Sequence, residues 1–333
     1  MAASGLRGGV DYPRTRVEFD RFFPDEQACL RYLEQLRWPD GFVCPGCGVA
    51  GTPWPMARHL HLCRHCRRQA SVLAGTLFHR TRKPLRLWFL TAWEVTSQKY
   101  GANALGLQRV LPVGGYKTVW IWLHKLRRAM VCPGREQLQG TVEVDECYLG
   151  GVEAGVSGRE TIKKAIVAVA VEVDGRQIGR TRLQWVPDLS GPVLRGFVAA
   201  AVAPGSTVHT DGWSGYASLG KRGFQHQVTH LSSAPDPAHV VMPGVHRVAS
   251  LLKRWILGTL QGGIARAQLP YYLDEFTFRF NRRRSRARGL LFYRLLEQAV
   301  DSAPTPAAAL YRATGRGPRP GTSPAHPPHL GGG

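Results

Sequence analysis

Two Cys-x-x-Cys pairs constrain the fold of this chain more than any other feature. The pairs are Cys44/Cys47 and Cys63/Cys66, with fifteen residues between them. Each pair supplies two thiolates from one turn, and four thiolates complete a tetrahedral zinc site. Three further cysteines stand alone, and an odd total argues against a secreted disulfide framework. The pattern predicts a structural zinc ribbon, because four protein ligands leave no open position for catalysis.

Two other interpretations of the cysteine pattern stay open. The pairs can be reduced redox motifs, although nothing around them is typical of a thioredoxin unit. Nearby histidines can also replace a cysteine as zinc ligand. These are His59, His61 and His65.

The chain is strongly basic. It has 44 Lys and Arg against 23 Asp and Glu, a formal net charge of +21, which favours a polyanionic partner such as nucleic acid or an anionic membrane. Its apolar runs, such as residues 165–173, are well below the roughly 18 residues that span a bilayer. The N-terminus lacks the apolar core of a signal peptide. We therefore expect a cytoplasmic protein that binds nucleic acid and no membrane.

Hydrophobic periodicity divides the chain into three blocks between two tails. The tails, residues 1–18 and 301–333, are rich in Pro, Gly and Ala and are predicted to be disordered. Residues 19–80 contain a helix and the zinc ribbon, and residues 81–135 have helical periodicity. Residues 138–300 begin with β-branched strands and then alternate strand and helix, which predicts an α/β domain with a mixed sheet.

The second block has the order of a helix-turn-helix. A short helix, a Gly-containing turn and a longer helix with a basic end follow one another over residues 102–130. This signal is weak alone, because the same charges can form a solvated face. In so basic a chain, we predict that the second helix contacts DNA through Lys117, Lys125, Arg127 and Arg128.

Two aspartates of the third block are placed for metal chemistry. Asp145 lies inside the first strand and shares a face with Glu143 and Cys147. A carboxylate in a central strand is costly unless it is paired or binds a cation, so an arginine partner is the alternative. Asp211 ends another strand, where its alternative is an ordinary Asp-Gly turn. Two such aspartates with a ligand from a following helix form a site for divalent cations that serves phosphodiester displacement.

The segment of residues 245–259 predicts an amphipathic helix. His246 and Lys253 are seven positions apart, nearly two turns, so they share a face beside an apolar stripe. Taken alone, this histidine is an ordinary half-buried residue. Its position after the two aspartates makes it a candidate ligand.

Together these motifs resemble DDE-type insertion-sequence transposases. The resemblance rests on VEVDECYLGG (142–151), HTDGWSGY (209–216), GVHRVASLLKRW (244–255) and YYLDEFTFRFNRR (271–283). The zinc ribbon and helix-turn-helix before them narrow it to the IS fifteen-ninety-five family, over roughly residues 20–300. The resemblance implies an RNase H-like catalytic domain, DNA strand transfer and Mg²⁺ or Mn²⁺ as the catalytic cofactor beside structural Zn²⁺.

The resemblance also implies roles for single residues. Asp145 and Asp211 match the first two catalytic aspartates, and the third member, commonly Glu or Asn, falls at His246. Imidazole suits Mn²⁺ better than Mg²⁺, and RuvC-type nucleases use a histidine at the corresponding place. Lys253 matches a basic residue that contacts DNA near the transferred end. Substitute ligands stay open at Asp236, Glu143 and Glu146.

A basic run, RFNRRRSRARG (279–289), follows the last motif. Its alternative is a solvated loop. In a DNA-joining enzyme it would hold phosphates and give affinity rather than sequence choice, through Arg282, Arg283, Arg284 and Arg286. Trp213, two residues after Asp211, is a candidate for stacking on an unpaired base.

The resemblance thus implies a nucleoid-associated transposase that binds double-stranded DNA, namely the element ends and the target, cleaves at the ends and transfers the strands. Two ends must be joined, so a homodimer or larger assembly is expected. One rival is a non-catalytic DNA-binding protein derived from a transposase, which the histidine at the third position favours. The other is a structure-selective nuclease, which the N-terminal DNA-binding pair disfavours.

Overall fold

The N-terminal part of the protein consists of helices with a small three-stranded sheet between the second and third of them. The computed structural model describes residues 5–131, 134–150, 164–230, 237–261 and 264–311. Side-chain caps begin two of the first helices, where Thr15 accepts from the Glu18 amide and Asp25 from the Ala28 amide. The elements are α1 (Arg16–Phe22), α2 (Glu26–Arg37), β1 (Trp54–Met56), β2 (Leu60–Leu62), β3 (Gln69–Ser71), α3 (Leu85–Ser97), α4 (Ala104–Val110) and α5 (Tyr116–Ala129).

A five-stranded mixed sheet forms the centre of the second part. Its order is β6-β5-β4-β7-β8, with β4, β5 and β6 antiparallel and β4, β7 and β8 parallel, as expected of an RNase H-like α/β fold. The elements are β4 (Thr141–Leu149), β5 (Ala165–Asp174), β6 (Gln177–Val186), α6 (Gly191–Ala201), β7 (Thr207–Thr210), β8 (Gln225–Val228), α7 (Ala238–Val241), α8 (Pro243–Leu260), α9 (Leu269–Asn281), α10 (Arg288–Asp301) and α11 (Ala307–Tyr311).

The two faces of this sheet are covered by different helices. Successive residues of β4 point to opposite sides, so Val142 and Val144 pack towards α6 while Cys147 packs towards α8 and α9. The predicted shared face of Glu143, Asp145 and Cys147 is therefore the face that meets α8. No helix within the described ranges is both long and apolar enough to cross a bilayer.

Helix α10 packs away from the sheet. Its Phe292 is fully buried among Phe19, Phe23 and Phe89 of the N-terminal helices. Residues 138–300 were predicted as one block, whereas α10 joins the core formed by α1 to α5. The sequence places α10 after the sheet but does not show which core its apolar face joins.

The described parts of both predicted disordered tails contain helical residues and a few buried side chains. Tyr12 is buried and α1 begins at Arg16, and Leu310 of α11 is also buried. These apolar side chains anchor short segments whose composition alone indicates disorder. Residues 1–4 and 312–333 lie outside the described residues.

Candidate active site

The four cysteines of the ribbon converge. The Sγ atoms of Cys44 and Cys66 are 3.6 Å apart and those of Cys47 and Cys63 are 3.8 Å apart. These separations are far too long for a disulfide, at about 2.05 Å, and close to the edge of about 3.8 Å of a tetrahedron with zinc–sulfur bonds of about 2.3 Å. All four sulfur atoms lie within 4.8 Å of one another. The donor set therefore fits Zn²⁺.

The nearby histidines have other contacts. His61 Nε2 lies 2.8 Å from Glu34 Oε1 on α2, and His59 Nε2 lies 3.3 Å from the Gln27 side-chain amide. Both side chains thus join the ribbon to α2, and the cysteines remain the predicted ligand set.

Strand pairing aligns the two aspartates. In the parallel pair β4/β7, Glu143 lies opposite His209. Two residues further along each strand, this register places Asp211, the first residue after β7, level with Asp145 and on the same face. Asp211 Oδ1 accepts the Trp213 amide at 3.0 Å, which closes the predicted Asp-Gly turn around the aspartate.

His246 faces Asp145 from helix α8. Its Nε2 lies 3.8 Å from Asp145 Oδ2, beyond hydrogen-bond distance. This Nε2 is buried and has no hydrogen-bond partner among the described residues. Two ligands each about 2.1 Å from one cation are at most about 4.2 Å apart, so a divalent cation fits between these atoms. A buried, unpaired ring nitrogen opposite a carboxylate is the feature that a metal site would explain.

Lys253 lines the same cleft two turns further along α8. The cleft has a volume of about 220 Å³, and Asp145, His246, Ser250 and Lys253 are among its lining residues. Asp211 is not one of them. Within the described ranges, only the four cysteines bring three or more metal-binding side chains together, so the predicted Asp-Asp-His set is less compact than the ribbon's cluster.

The proposed substitute ligands have different contacts. Glu143 is buried and accepts the Val245 amide at 2.8 Å, so it caps the first turn of α8 from the neighbouring strand. Burial raises the pKa of the Glu143 carboxyl, while amide hydrogen bonds from Gly244 and Val245 act in the opposite direction. Glu146 points to the other face of the sheet and accepts from the Tyr216 hydroxyl. Asp236 lies outside the described residues.

One of the four DNA contacts predicted for helix α5 is wrong. Arg127 was predicted to contact DNA, but it is 2% exposed and its Nε lies 2.8 Å from Glu275 Oε2 on α9. The prediction for Arg127 is wrong because α9 covers that side of the helix. Lys117 and Arg128 are exposed, and Lys125 is half-buried, which lowers the pKa of its ammonium group.

The arginine run divides into two pairs. Arg283 donates to the carbonyl oxygens of Gly179 and Phe280 at 3.1 and 2.9 Å, and Arg282 lies 4.1 Å from the Phe278 ring centre. These two side chains therefore have packing contacts of their own. The other two members of the run, Arg284 and Arg286, are exposed.

Sequence reasoning missed two features of this region. The capping role of Glu143 was not predicted, although its place two residues before Asp145 on one face was visible. Trp213 was considered for base stacking, but it is half-buried and its indole N–H donates to the Leu189 carbonyl at 3.1 Å.

Fold and site together define a class: an RNase H-like domain with an acidic central strand facing a His- and Lys-bearing helix, preceded by a four-cysteine ribbon. Residues 137–281 match the family model of the ISXO2-like transposase domain, and residues 24–69 match that of the transposase zinc-ribbon domain. Two parts of the chain thus match family models of insertion-sequence transposases, in the order ribbon and then transposase domain.

The chain is also similar to a curated protein from Halobacterium salinarum, described as an uncharacterized protein in transposable element ISH50. The two are 28% identical over 280 residues, which cover 77% of this chain and 91% of the relative. No solved structure matches significantly.

Proposed function

We propose that this protein is the DNA transposase of an insertion sequence, which binds the element ends, cuts them and joins them to target DNA. The observation that carries the proposal is the buried Nε2 of His246, which has no hydrogen-bond partner among the described residues and lies 3.8 Å from the Asp145 carboxylate in a cleft that Lys253 also lines. The family of both domains supports the same activity.

Asp145, His246 and, from the neighbouring strand, Asp211 are the residues that would hold Mg²⁺ or Mn²⁺. Bound there, a divalent cation supplies Lewis-acid stabilisation of the charge that develops on the phosphate during displacement. A nitrogen ligand favours Mn²⁺. The rigid central strand and α8 fix the carboxylate and the imidazole before DNA arrives, so little ordering is left for the moment of reaction.

Lys253 has a separate role in this proposal. Seven residues of helix place its Cα about 10 Å along α8 from that of His246. Its exposed ammonium group attracts the phosphate of the element end and positions it over the cleft. The lysine therefore acts on DNA placement rather than on metal binding.

DNA binding in this proposal uses two further surfaces. One consists of Lys117, Lys125 and Arg128 on α5, and the other of the run from Arg282 to Arg286. Since two ends must be joined in one reaction, we propose that a homodimer or larger assembly acts on the DNA.

The test is a cleavage and strand-transfer assay on DNA that carries the sequences flanking the gene, with Mg²⁺ and Mn²⁺ compared. Wild type is tested beside Asp145→Ala, Asp211→Ala and His246→Ala, with Asp174→Ala, an exposed aspartate at the end of β5, as the matched control. We expect wild type and the control to cut and join, and the three site variants to bind DNA without cutting it.

Three outcomes would change the proposal. If His246→Ala alone stays active, the third ligand lies elsewhere. Wild type that binds the ends but cuts with neither metal would instead be a non-catalytic DNA-binding protein. Wild type that cuts but never joins would be a nuclease.

A further inference from the structure

The zinc ribbon carries an exposed aromatic side chain on an edge strand. In the ribbon sheet β1 pairs only with β2, and all three residues of β1 are exposed. Trp54 is 38% exposed and Met56 39% exposed. Single exposed apolar residues are common, so the exposure of Trp54 makes this edge a candidate binding surface only together with its neighbours.

Two arginines of the second cysteine turn lie against this tryptophan. The guanidinium carbon of Arg67 is 4.5 Å from the Trp54 ring centre, and that of Arg64 is 5.4 Å from it. These are cation–π distances, so the indole favours a position beside its ring for both exposed guanidinium groups. A guanidinium that is already ordered loses less entropy when it binds a phosphate.

Arg67 occupies a backbone position that favours glycine. Its φ is +60°, in the left-handed region, whereas the corresponding position of the first cysteine turn is Gly48 with φ +73°. A left-handed conformation costs an L-residue about 1–2 kcal/mol. Glycine at this position would make the ribbon more stable than arginine does. An arginine retained at such a position is expected of a residue that binds a ligand.

The charge around this pair points to a polyanion. From residue 41 to residue 93 the sequence has eight Lys and Arg and no Asp or Glu. A zinc ion with four thiolates carries a charge of −2, which leaves this stretch strongly positive. Glu34 reaches the ribbon from α2 but contacts His61. Within the described ranges, no carboxylate forms an ion pair with Arg64 or Arg67.

We propose that Trp54, Arg64 and Arg67 form a binding surface for a DNA strand with unpaired bases. The arginines hold the phosphates, and the indole and guanidinium planes stack on the bases. A duplex keeps its bases stacked inside, so the aromatic part of this surface acts only on single-stranded DNA, such as a frayed or opened element end. The inference rests on the proposed function only for the source of that DNA; the ribbon then has a binding role beyond its structural one.

The test measures the affinity of the full-length, zinc-loaded protein for two labelled duplexes, one blunt and one with a single-stranded overhang. Fluorescence anisotropy is recorded over a range of salt concentrations, without Mg²⁺ or Mn²⁺ so that no cleavage occurs. The variants are Trp54→Ala, Trp54→Phe and Arg67→Gly. Arg222→Ala, which removes an exposed arginine from the turn before β8, is the control for charge alone.

We expect Trp54→Ala to weaken binding of the overhang about tenfold and to leave the blunt duplex nearly unchanged, with Trp54→Phe restoring most of the loss. Arg67→Gly should weaken binding of the overhang and lower the salt slope by about one, while the ribbon retains zinc at least as firmly as in wild type. The glycine variant thus separates binding from folding, because it relieves the backbone while it removes the side chain.

The proposal is wrong if Arg67→Gly and Trp54→Ala, with zinc retained, bind the overhang as wild type and Arg222→Ala do. It is also wrong if the variants lose equal affinity for both duplexes, since the surface would then bind only the phosphates of duplex DNA. If wild type prefers the overhang as expected but neither cleaves DNA nor transfers strands, the proposed function is contradicted and the proposed binding surface is not.

Discussion

Among single residues, Glu143 connects the strand of Asp145 to the helix of His246. Its carboxylate caps the first turn of α8, and His246 follows the capped residue Val245 directly. Glu143→Ala leaves buried amides without an acceptor, which costs about 1–3 kcal/mol, and frees the end of α8 to move. We predict lower stability in urea and a higher Mn²⁺ concentration for half-maximal cleavage.

The amide variant is the matched comparison for Glu143. Glu143→Gln keeps an oxygen that accepts from α8 and removes a buried charge, so it should restore most of the metal response. An alanine variant with the wild-type metal requirement would show that this residue stabilises the fold without placing His246.

Neighbouring arginines on α5 have opposite roles. Arg127 is buried against Glu275, so Arg127→Ala leaves this buried carboxylate with only the longer 3.9 Å contact to Arg279 and should cost about 3 kcal/mol of unfolding free energy. Arg128 is exposed, and Arg128→Ala should change stability by less than about 0.5 kcal/mol while it weakens DNA binding. Urea unfolding and DNA anisotropy measure the two effects, and equal stability losses would contradict the assignment.

At the scale of helices, the contact between α5 and α9 contains a buried histidine. His124 is fully buried against the rings of Trp120, Tyr271 and Tyr272, and neither of its ring nitrogens has a hydrogen-bond partner among the described residues. Burial, with a smaller contribution from the Arg127 charge, lowers the pKa of His124 to about 3. The imidazole is therefore neutral in the folded protein at every pH near neutrality.

This depressed pKa predicts an acid sensitivity of folding. The unfolded chain takes up a proton at His124 below a pH of about 6.5 and the folded protein does so only near pH 3, so stability falls as the pH drops between these values. His124→Phe removes this dependence. Between pH 7 and pH 5 the variant should lose about 2 kcal/mol less unfolding free energy than wild type, measured by denaturant unfolding. Parallel pH profiles for the two proteins would contradict this prediction.

The elements themselves were largely predictable. Strand β4 and helix α8 follow from periods of 2 and 3.6 residues, and the face shared by Asp145 and Glu143 follows from the first of these. The partner of Arg127 was not predictable, because Glu275 is 148 positions away in the chain. The alignment of Asp211 with Asp145 on neighbouring strands likewise depends on strand register, which no local pattern specifies.

At the scale of the whole molecule, the two ends of the chain share one core. Helices α1 to α5 and α10 enclose a common apolar cluster, and the Leu77 amide, which follows the ribbon, donates to the Ala299 carbonyl of α10 at 3.1 Å. The mixed sheet lies between these segments in the sequence. The candidate DNA-binding helices are therefore joined to the sheet domain through α10, which follows α9 in the chain, as well as through the α5/α9 contact.

This arrangement predicts where a core substitution acts. Phe292 of α10 is fully buried against Phe19, Phe23, Phe89 and Trp93, so Phe292→Ala should cost about 3–5 kcal/mol. Amide hydrogen exchange should rise in α1 to α3, although they lie far before the substitution in the sequence, and stay near wild type in β4 to β6. Leu257→Ala, at an exposed position of α8, is the control and should leave both regions unchanged. If exchange in the sheet rises as much as in the N-terminal helices, the protein unfolds as one unit, and α10 stabilises the whole molecule rather than the DNA-binding part.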